Sequence, residues 1–206
     1  MVQSASQRQQ QRHTTVNGMD ETPRGRLLSA AARLFRTQGF DRTTVRDIAR
    51  EVGIQSGSLF HHFSTKEDIL FAVTVEVIRF NTARLQAATA GLAEPVAQLQ
   101  ALVRSELQSI VGDTGEAMSV LVYEWRCLSE AHQREALALR AVYEQLWLDV
   151  LERLRAAGHF SADARLVRRL ITGMTGWARN WFDADGDLTI EQLADVIVAR
   201  VVGEAS

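Results

Sequence analysis

The stretch that decides the fold is residues 43–70, TTVRDIAREVGIQSGSLFHHFSTKEDIL. Val45, Ile48, Ala49 and Val52 recur at helical spacing, and Asp47 follows Thr44 by three residues. In that spacing two side chains cap a helix start reciprocally. Gly53 supplies a stop, Leu59 and Phe63 face inward from a second short helix expected at 56–62, and Ser64 with Glu67 predicts the start of a longer one. Two short helices about a glycine turn have the dimensions of a helix-turn-helix. The second of such a pair buries one side and keeps small or hydrogen-bonding groups on the side that enters a major groove about 12 Å wide. Ser56, Gly57 and Ser58 meet that demand.

Outward from this segment, the chain reads as helix throughout. Leu27, Leu28, Ala31, Ala32, Leu34 and Phe35 pattern a helix from Pro23 to Gly39. Further helices are expected near 95–111, 115–128, 132–157, 163–183 and 189–203, with no alternating apolar run bounded by turns, so the fold class is all-α. Residues 1–22 are Gln-rich and nearly free of large apolar groups, the composition of a disordered tail. The expected domains are 23–68 for the three-helix unit and 69–206 for a larger helical body.

The net charge is −2, but residues 1–70 carry ten Lys and Arg against seven Asp and Glu, while the rest carries thirteen against eighteen. A basic face for a polyanion joined to a more acidic body has this pattern. Cys127 is the sole cysteine, which excludes an intrachain disulfide and a thiolate metal cluster and suits a reducing cytosol. No run reaches the roughly 18 apolar residues of a membrane span, so a cytoplasmic protein without a membrane partner is expected.

Residues 27–70 resemble the N-terminal domain of the TetR family of bacterial transcriptional repressors. The likeness is carried by A-x-x-L-F-x-x-x-G-F at 31–40, TTVRDIA at 43–49, GSLFHHF at 57–63 and KEDIL at 66–70. It implies double-stranded operator DNA as partner, with Thr44 and Arg46 opening the supporting helix and Ser56, Gly57 and Ser58 heading the recognition helix. It further implies His61 and His62 along the exposed edge and Lys66 beside a phosphate. Arg46 suits bidentate guanine contact, worth about 1–3 kcal/mol of discrimination; the others suit phosphates. His62 also has a packing reading, because Phe63 comes directly after it. Where the family often has tyrosine this chain has Phe60 and His61.

The C-terminal half of this family is a dimerising, effector-binding body. Residues 123–146 and 173–194 resemble the subgroup whose effectors are acyl-CoA thioesters, through Glu124 with Arg126, Arg140 with Tyr143, and Asn180-Trp181-Phe182. For such a ligand Leu121, Trp125, Leu146, Trp147 and Met174 are candidate walls, with Tyr143 beside them, and Arg126, Arg140 or Arg179 would meet the charge. Surface ion pairs for the arginines, and plain core for Trp147, are the competing assignments. A non-CoA apolar compound or drug is the alternative effector. Small residues around Trp177 and Trp181, with the stripe containing Ile190, Ile197 and Val201, suggest a homodimer seam; intramolecular packing of that stripe is the other use.

Adjacent histidines cannot share one side of a helix, and no Glu-x-x-His occurs, so no metal is expected at His61 and His62. DADGDLTIE at 183–191 has its glycine and glutamate misplaced for an EF-hand loop. No nucleophile arrangement or phosphate loop appears, so neither an enzyme nor a cofactor is expected. The combined expectation is a ligand-responsive repressor that binds a palindromic operator as a dimer and controls lipid or other acyl-CoA catabolism, or efflux under the alternative effector.

Overall fold

The computed structural model describes Met19, residues 21–60, 62–112 and 114–203; of Phe60 only the backbone is described. The described residues form α1 (Pro23–Gln38), α2 (Val45–Glu51), α3 (Ser56–Phe60), α4 (Lys66–Thr89), α5 (Pro95–Val111), α6 (Gly115–Tyr123), α7 (Glu130–Ala156), α8 (Ala164–Trp177) and α9 (Ile190–Val202). Single 3₁₀ turns at Trp125–Cys127 and Ala178–Asn180 come after α6 and α8.

Local chemistry sets most of the ends. Thr22 caps α1 by accepting from the Gly25 N–H at 3.0 Å, and Pro23 occupies the first turn. The chain leaves α1 at Gly39, whose φ of 84° favours glycine. Thr44 and Asp47 form the reciprocal box at the start of α2, with bonds of 3.1 and 2.9 Å. The start of α4 departs from expectation: its box is Thr65 with Asp68 rather than Ser64 with Glu67. Glu67 is taken instead by a tertiary role, accepting from the Ser129 N–H at 2.7 Å and meeting His132 Nδ1 at 2.8 Å. The helix expected at 115–128 stops at Tyr123, because Ser129 caps α7 and the Gln133 amide binds the Trp125 and Leu128 carbonyls at 3.2 and 2.9 Å.

Two apolar cores result. The first joins α1, α2, α3, the start of α4 and α6 through Leu28, Phe35, Ile48, Leu59, Leu70 and Val120. Met19 also belongs to it at 3% exposure, so the boundary at residue 22 expected for a disordered tail is corrected: the chain is already packed at 19. The rest of the expected tail lies largely outside the described residues. The second core joins the end of α4 to α5, α7, α8 and α9. Because α4 supplies Ile69, Leu70 and Val73 to one core and Leu85 to the other, it joins the two units.

The α9 stripe is used within the chain. Leu193, Ala194, Ile197 and Val198 are buried in the second core, and Ile190, Val201 and Val202 pack against it. This corrects the assignment of Ile190, Ile197 and Val201 to a dimer seam: α9 lies on α5, and a fully buried side chain of this kind contributes about 1.5–3 kcal/mol to its own fold. Whereas α6, α7 and α9 expose one or two large apolar groups each, α8 exposes a row of them. Leu166, Leu170, Met174 and Trp177 fall on one side of it and are 51, 59, 37 and 67% exposed, with Trp181 just beyond at 50%. Its inner side carries Arg168 and Thr175, both buried.

Candidate DNA-reading face and effector cleft

Leu59, fully buried, anchors α3 to the first core and leaves Gly57 and Ser58 exposed and Ser56 half-buried. A methyl group added at Gly57 meets nothing within 4 Å, and its backbone is not in the left-handed region. Neither conformation nor packing among the described residues therefore requires glycine there. Thr44 and Arg46 are exposed at the start of α2, and Arg46 has no carboxylate partner among the described residues. Its neighbours are paired, Arg50 with Asp47 at 2.8 Å and Arg33 with Glu51 at 2.6 Å. Hydrogen bonds from Thr44, outweighing burial, hold the Asp47 carboxyl below its ordinary value. His62 is exposed, which disfavours the packing reading; His61 lies outside the described residues.

Lys66 is placed differently from expectation. Its ammonium donates to the Phe40 carbonyl at 2.6 Å and the Asp41 carbonyl at 3.4 Å, and sits 4.1 Å from the centroid of the Phe40 ring. Through these contacts it ties the α1–α2 turn to the head of α4. Gln55, exposed immediately before α3, joins the candidate face although the motif did not single it out.

In the helical body the expected ligand residues do not converge. Trp147 is fully buried in the second core, with the Arg168 guanidinium 4.0 Å from its ring. Leu121 and Trp125 pack against the first core, and Leu146 against the second. Met174 lies on the exposed side of α8, while Arg126 and Arg140 are exposed elsewhere. These placements correct the tunnel expected from them: its walls are divided between the two cores and the outer side of α8.

Tyr143 serves a buried ion network that the sequence did not announce. Glu106 accepts from Arg168 Nη1 at 3.1 Å, Arg168 Nη2 at 2.7 Å, Thr175 at 2.6 Å and the Tyr143 hydroxyl at 2.9 Å. Arg168 also reaches Glu144 at 2.9 Å. Burial would push the Glu106 carboxyl up, but the charge of Arg168 and the four donated bonds outweigh it and hold it below the ordinary value. Burial and the Glu106 charge push the Tyr143 hydroxyl well up. The network fastens α5, α7 and α8 together.

Space for a ligand lies at the junction of the two cores. A cleft of about 540 Å³ opens between α1, the end of α5, α6 and the segment after α8. Arg36, Glu116, Tyr123, Glu124 and Arg179 supply its polar wall, and Ile110, Val120 and Phe182 its apolar one. Of the nine residues expected to bind ligand, Arg179 alone lines it. Its guanidinium donates to the Ser119 hydroxyl at 3.2 Å and lies 5.7 Å from the Tyr123 ring centroid, with no carboxylate partner among the described residues. Arg36 escapes a reading of the sequence because it lies inside the N-terminal motif, where it looks like ordinary helix surface.

A helix-turn-helix unit with an outward-facing short helix, fused through one long helix to an all-α body with a cleft, defines a DNA-binding regulator. The relatives agree. Residues 27–73 match the bacterial regulatory proteins of the tetR family, and residues 92–203 the tetracyclin repressor-like C-terminal domain. The HTH-type transcriptional repressor KstR2 of Mycobacterium tuberculosis is 32% identical over 198 residues, 91% of this chain and 95% of that one. Its structure, described as a ketosteroid transcriptional regulator, matches with a TM-score of 0.75 at 31% identity over 91% and 97% of the two chains. A structure described as superantigen pfit matches with a TM-score of 0.80 at 49% identity, over 88% and 90%. AibR, solved with isovaleryl coenzyme A and operator DNA, shares the fold with a TM-score of 0.76 at 24% identity, over 85% and 96%. The chain belongs to the TetR family of transcriptional regulators.

No helix among the described residues is long and apolar enough to cross a membrane, and no group of three or more potential metal ligands occurs among them.

Proposed function

We propose that this protein is a repressor that covers a palindromic operator as a two-fold dimer and leaves it when an effector enters the cleft beside Arg179. The observation that carries the effector reading is Arg179 itself, half-buried over Tyr123 and free of any carboxylate partner among the described residues, at the wall of a cleft large enough for a drug-sized body. An acyl-CoA thioester fits that chemistry: the acyl end against Ile110, Val120 and Phe182, the anionic end toward Arg179. AibR's coenzyme A ligand supports this class, and control of acyl-CoA catabolism follows from it. The description of KstR2 as a ketosteroid regulator favours the second reading, an apolar molecule without coenzyme A.

The dimer reading rests on α8. Leu166, Leu170, Met174, Trp177 and Trp181 make a continuous exposed apolar side that a second copy, related by a two-fold axis, would bury. On the DNA, Arg46 reads a base edge, Gly57 allows close approach, and Ser58 and His62 hold the backbone.

Selection of bound duplexes from a random pool, repeated with a panel of CoA thioesters and of steroids, tests the whole reading. Enrichment of a palindrome that one thioester abolishes is expected. Enrichment unaffected by any panel member removes the effector; no enrichment removes the operator.

A further inference from the structure

Two polar contacts that tie the first helix and its turn to α6 lie in the wall of the cleft. Arg36 Nη1 of α1 meets Glu116 Oε1 of α6 at 3.5 Å, and the Phe40 N–H donates to Glu124 Oε1 at 3.3 Å. Arg36, Glu116 and Glu124 all line the cleft. Both contacts are long, and the Arg36 side chain is 52% exposed, so the pair is weakly held. The chain between Phe40 and Thr44, by contrast, is firmly anchored. Phe40 packs its ring against Phe35 at 5.4 Å and binds Lys66 through its carbonyl, and Thr43, three residues on, is anchored by bonds of 2.8 and 3.3 Å to Gly39 and Leu34. Thr44 then caps α2. A displacement at Arg36 and Phe40 therefore reaches the helix-turn-helix through a rigid corner.

We infer that the DNA-binding unit senses the ligand directly, through Arg36. An anionic group, carboxylate or phosphate, held by Arg179 and Arg36 takes Arg36 away from Glu116 and removes a polar tie that sets how α1 lies on α6, while the apolar core between the two helices stays intact. The effector is then read by a residue of the DNA-binding unit rather than only through the packing of the helical body. This rests on the effector reading above, and it assigns Arg36 as a positioning residue for the operator-competent arrangement.

Operator affinity measured by fluorescence anisotropy, with and without saturating hexanoyl-CoA, free coenzyme A or hexanoate, tests it. In the wild type an effective probe weakens operator binding by about 5–150-fold, the usual range of coupling between sites. A response to free coenzyme A assigns the phosphates as the sensed group; a response to hexanoate alone assigns the carboxylate. In Arg36→Gln, operator affinity without probe moves toward the probe-bound wild-type value, and added probe changes it by less than about twofold. Arg36→Lys, which keeps the charge, keeps a response. Arg33→Gln removes a neighbouring arginine of α1 that pairs outside the cleft, and it responds as the wild type does. If the wild type responds and Arg36→Gln responds by the same ratio, this inference alone falls. If no probe shifts either wild-type melting or operator affinity, the effector reading falls and takes the inference with it.

Discussion

Arg168→Met is the substitution whose cost the structure defines most closely. Arg168 and Glu106 have side chains only 7 and 6% exposed, and they share two hydrogen bonds. Methionine fills most of the aliphatic volume and retains contact with Trp147, so cavity formation is a small part of the penalty. The large part is electrostatic: Glu106 keeps its bonds from Thr175 and Tyr143 but loses its counter-charge while still buried. Removing one partner of a buried pair costs about 3–5 kcal/mol, a large share of the roughly 5–15 kcal/mol that hold a typical domain. Glu144, the other carboxylate on Arg168, has a side chain 33% exposed and turns to solvent at little cost. Urea unfolding at fixed protein concentration reads the difference as a lower midpoint at unchanged slope. With its counter-charge gone, Glu106 becomes easier to protonate, so the penalty shrinks as pH is lowered. The double variant Glu106→Leu/Arg168→Met recovers most of the loss, because an apolar pair replaces an ionic one without leaving a charge. A cost below about 1 kcal/mol for Arg168→Met at neutral pH, the level of a surface pair, would refute this account of the network.

In the wild type the Glu106 carboxyl is held below its ordinary value, so its contribution is present above the unfolded-state value near about pH 4.3 and is lost as pH falls through the lower folded value; urea midpoints across pH 2–6 check this. Gly57→Ala raises stability by up to about 1 kcal/mol, since the added methyl meets nothing within 4 Å among the described residues, yet weakens operator binding by at least about tenfold, a loss of 1.4 kcal/mol or more. Parallel melting and anisotropy measurements reveal whether the signs are opposite. Trp177→Ala, removing the most exposed of the apolar side chains on α8, shifts sedimentation toward monomer and weakens operator binding in step. Arg46→Ala relaxes preference at one base position by about 1–3 kcal/mol in a binding-site selection, leaving the other positions unchanged.

How much is legible in the sequence depends on the range of the interactions involved. The Thr44–Asp47 box and the Gly39 and Gly53 stops depend on neighbours three or four residues apart, and they stand as read. The start of α4 lies one residue beyond the position that pattern suggests, because Thr65–Asp68 repeats the spacing of Ser64–Glu67 and the arbiter is Ser129, 62 positions from Glu67. The periodicity of α9 is visible, but periodicity does not say which neighbour the stripe meets; here it is α5. Helix α8 defeats pattern reading more thoroughly. It buries Arg168 and Thr175 beside Val167 and Ile171 on its inner side, where Glu106 pairs with Arg168, and leaves Leu166, Leu170 and Trp177 exposed, so both of its sides carry apolar groups and periodicity alone does not say which is buried. The cleft is hidden for a related reason: its walls come from both units, and Arg36 lies 80 residues from Glu116.

The central claim is that residues 43–62 seat in a DNA groove twice per assembled molecule. Anisotropy titration of a selected duplex over a range of salt, with stoichiometry fixed by sedimentation, tests it most directly. Two copies per duplex, half-sites about one helical turn apart and affinity falling steeply with salt are predicted. Failure to bind any duplex at low salt, or an affinity indifferent to salt, would contradict it.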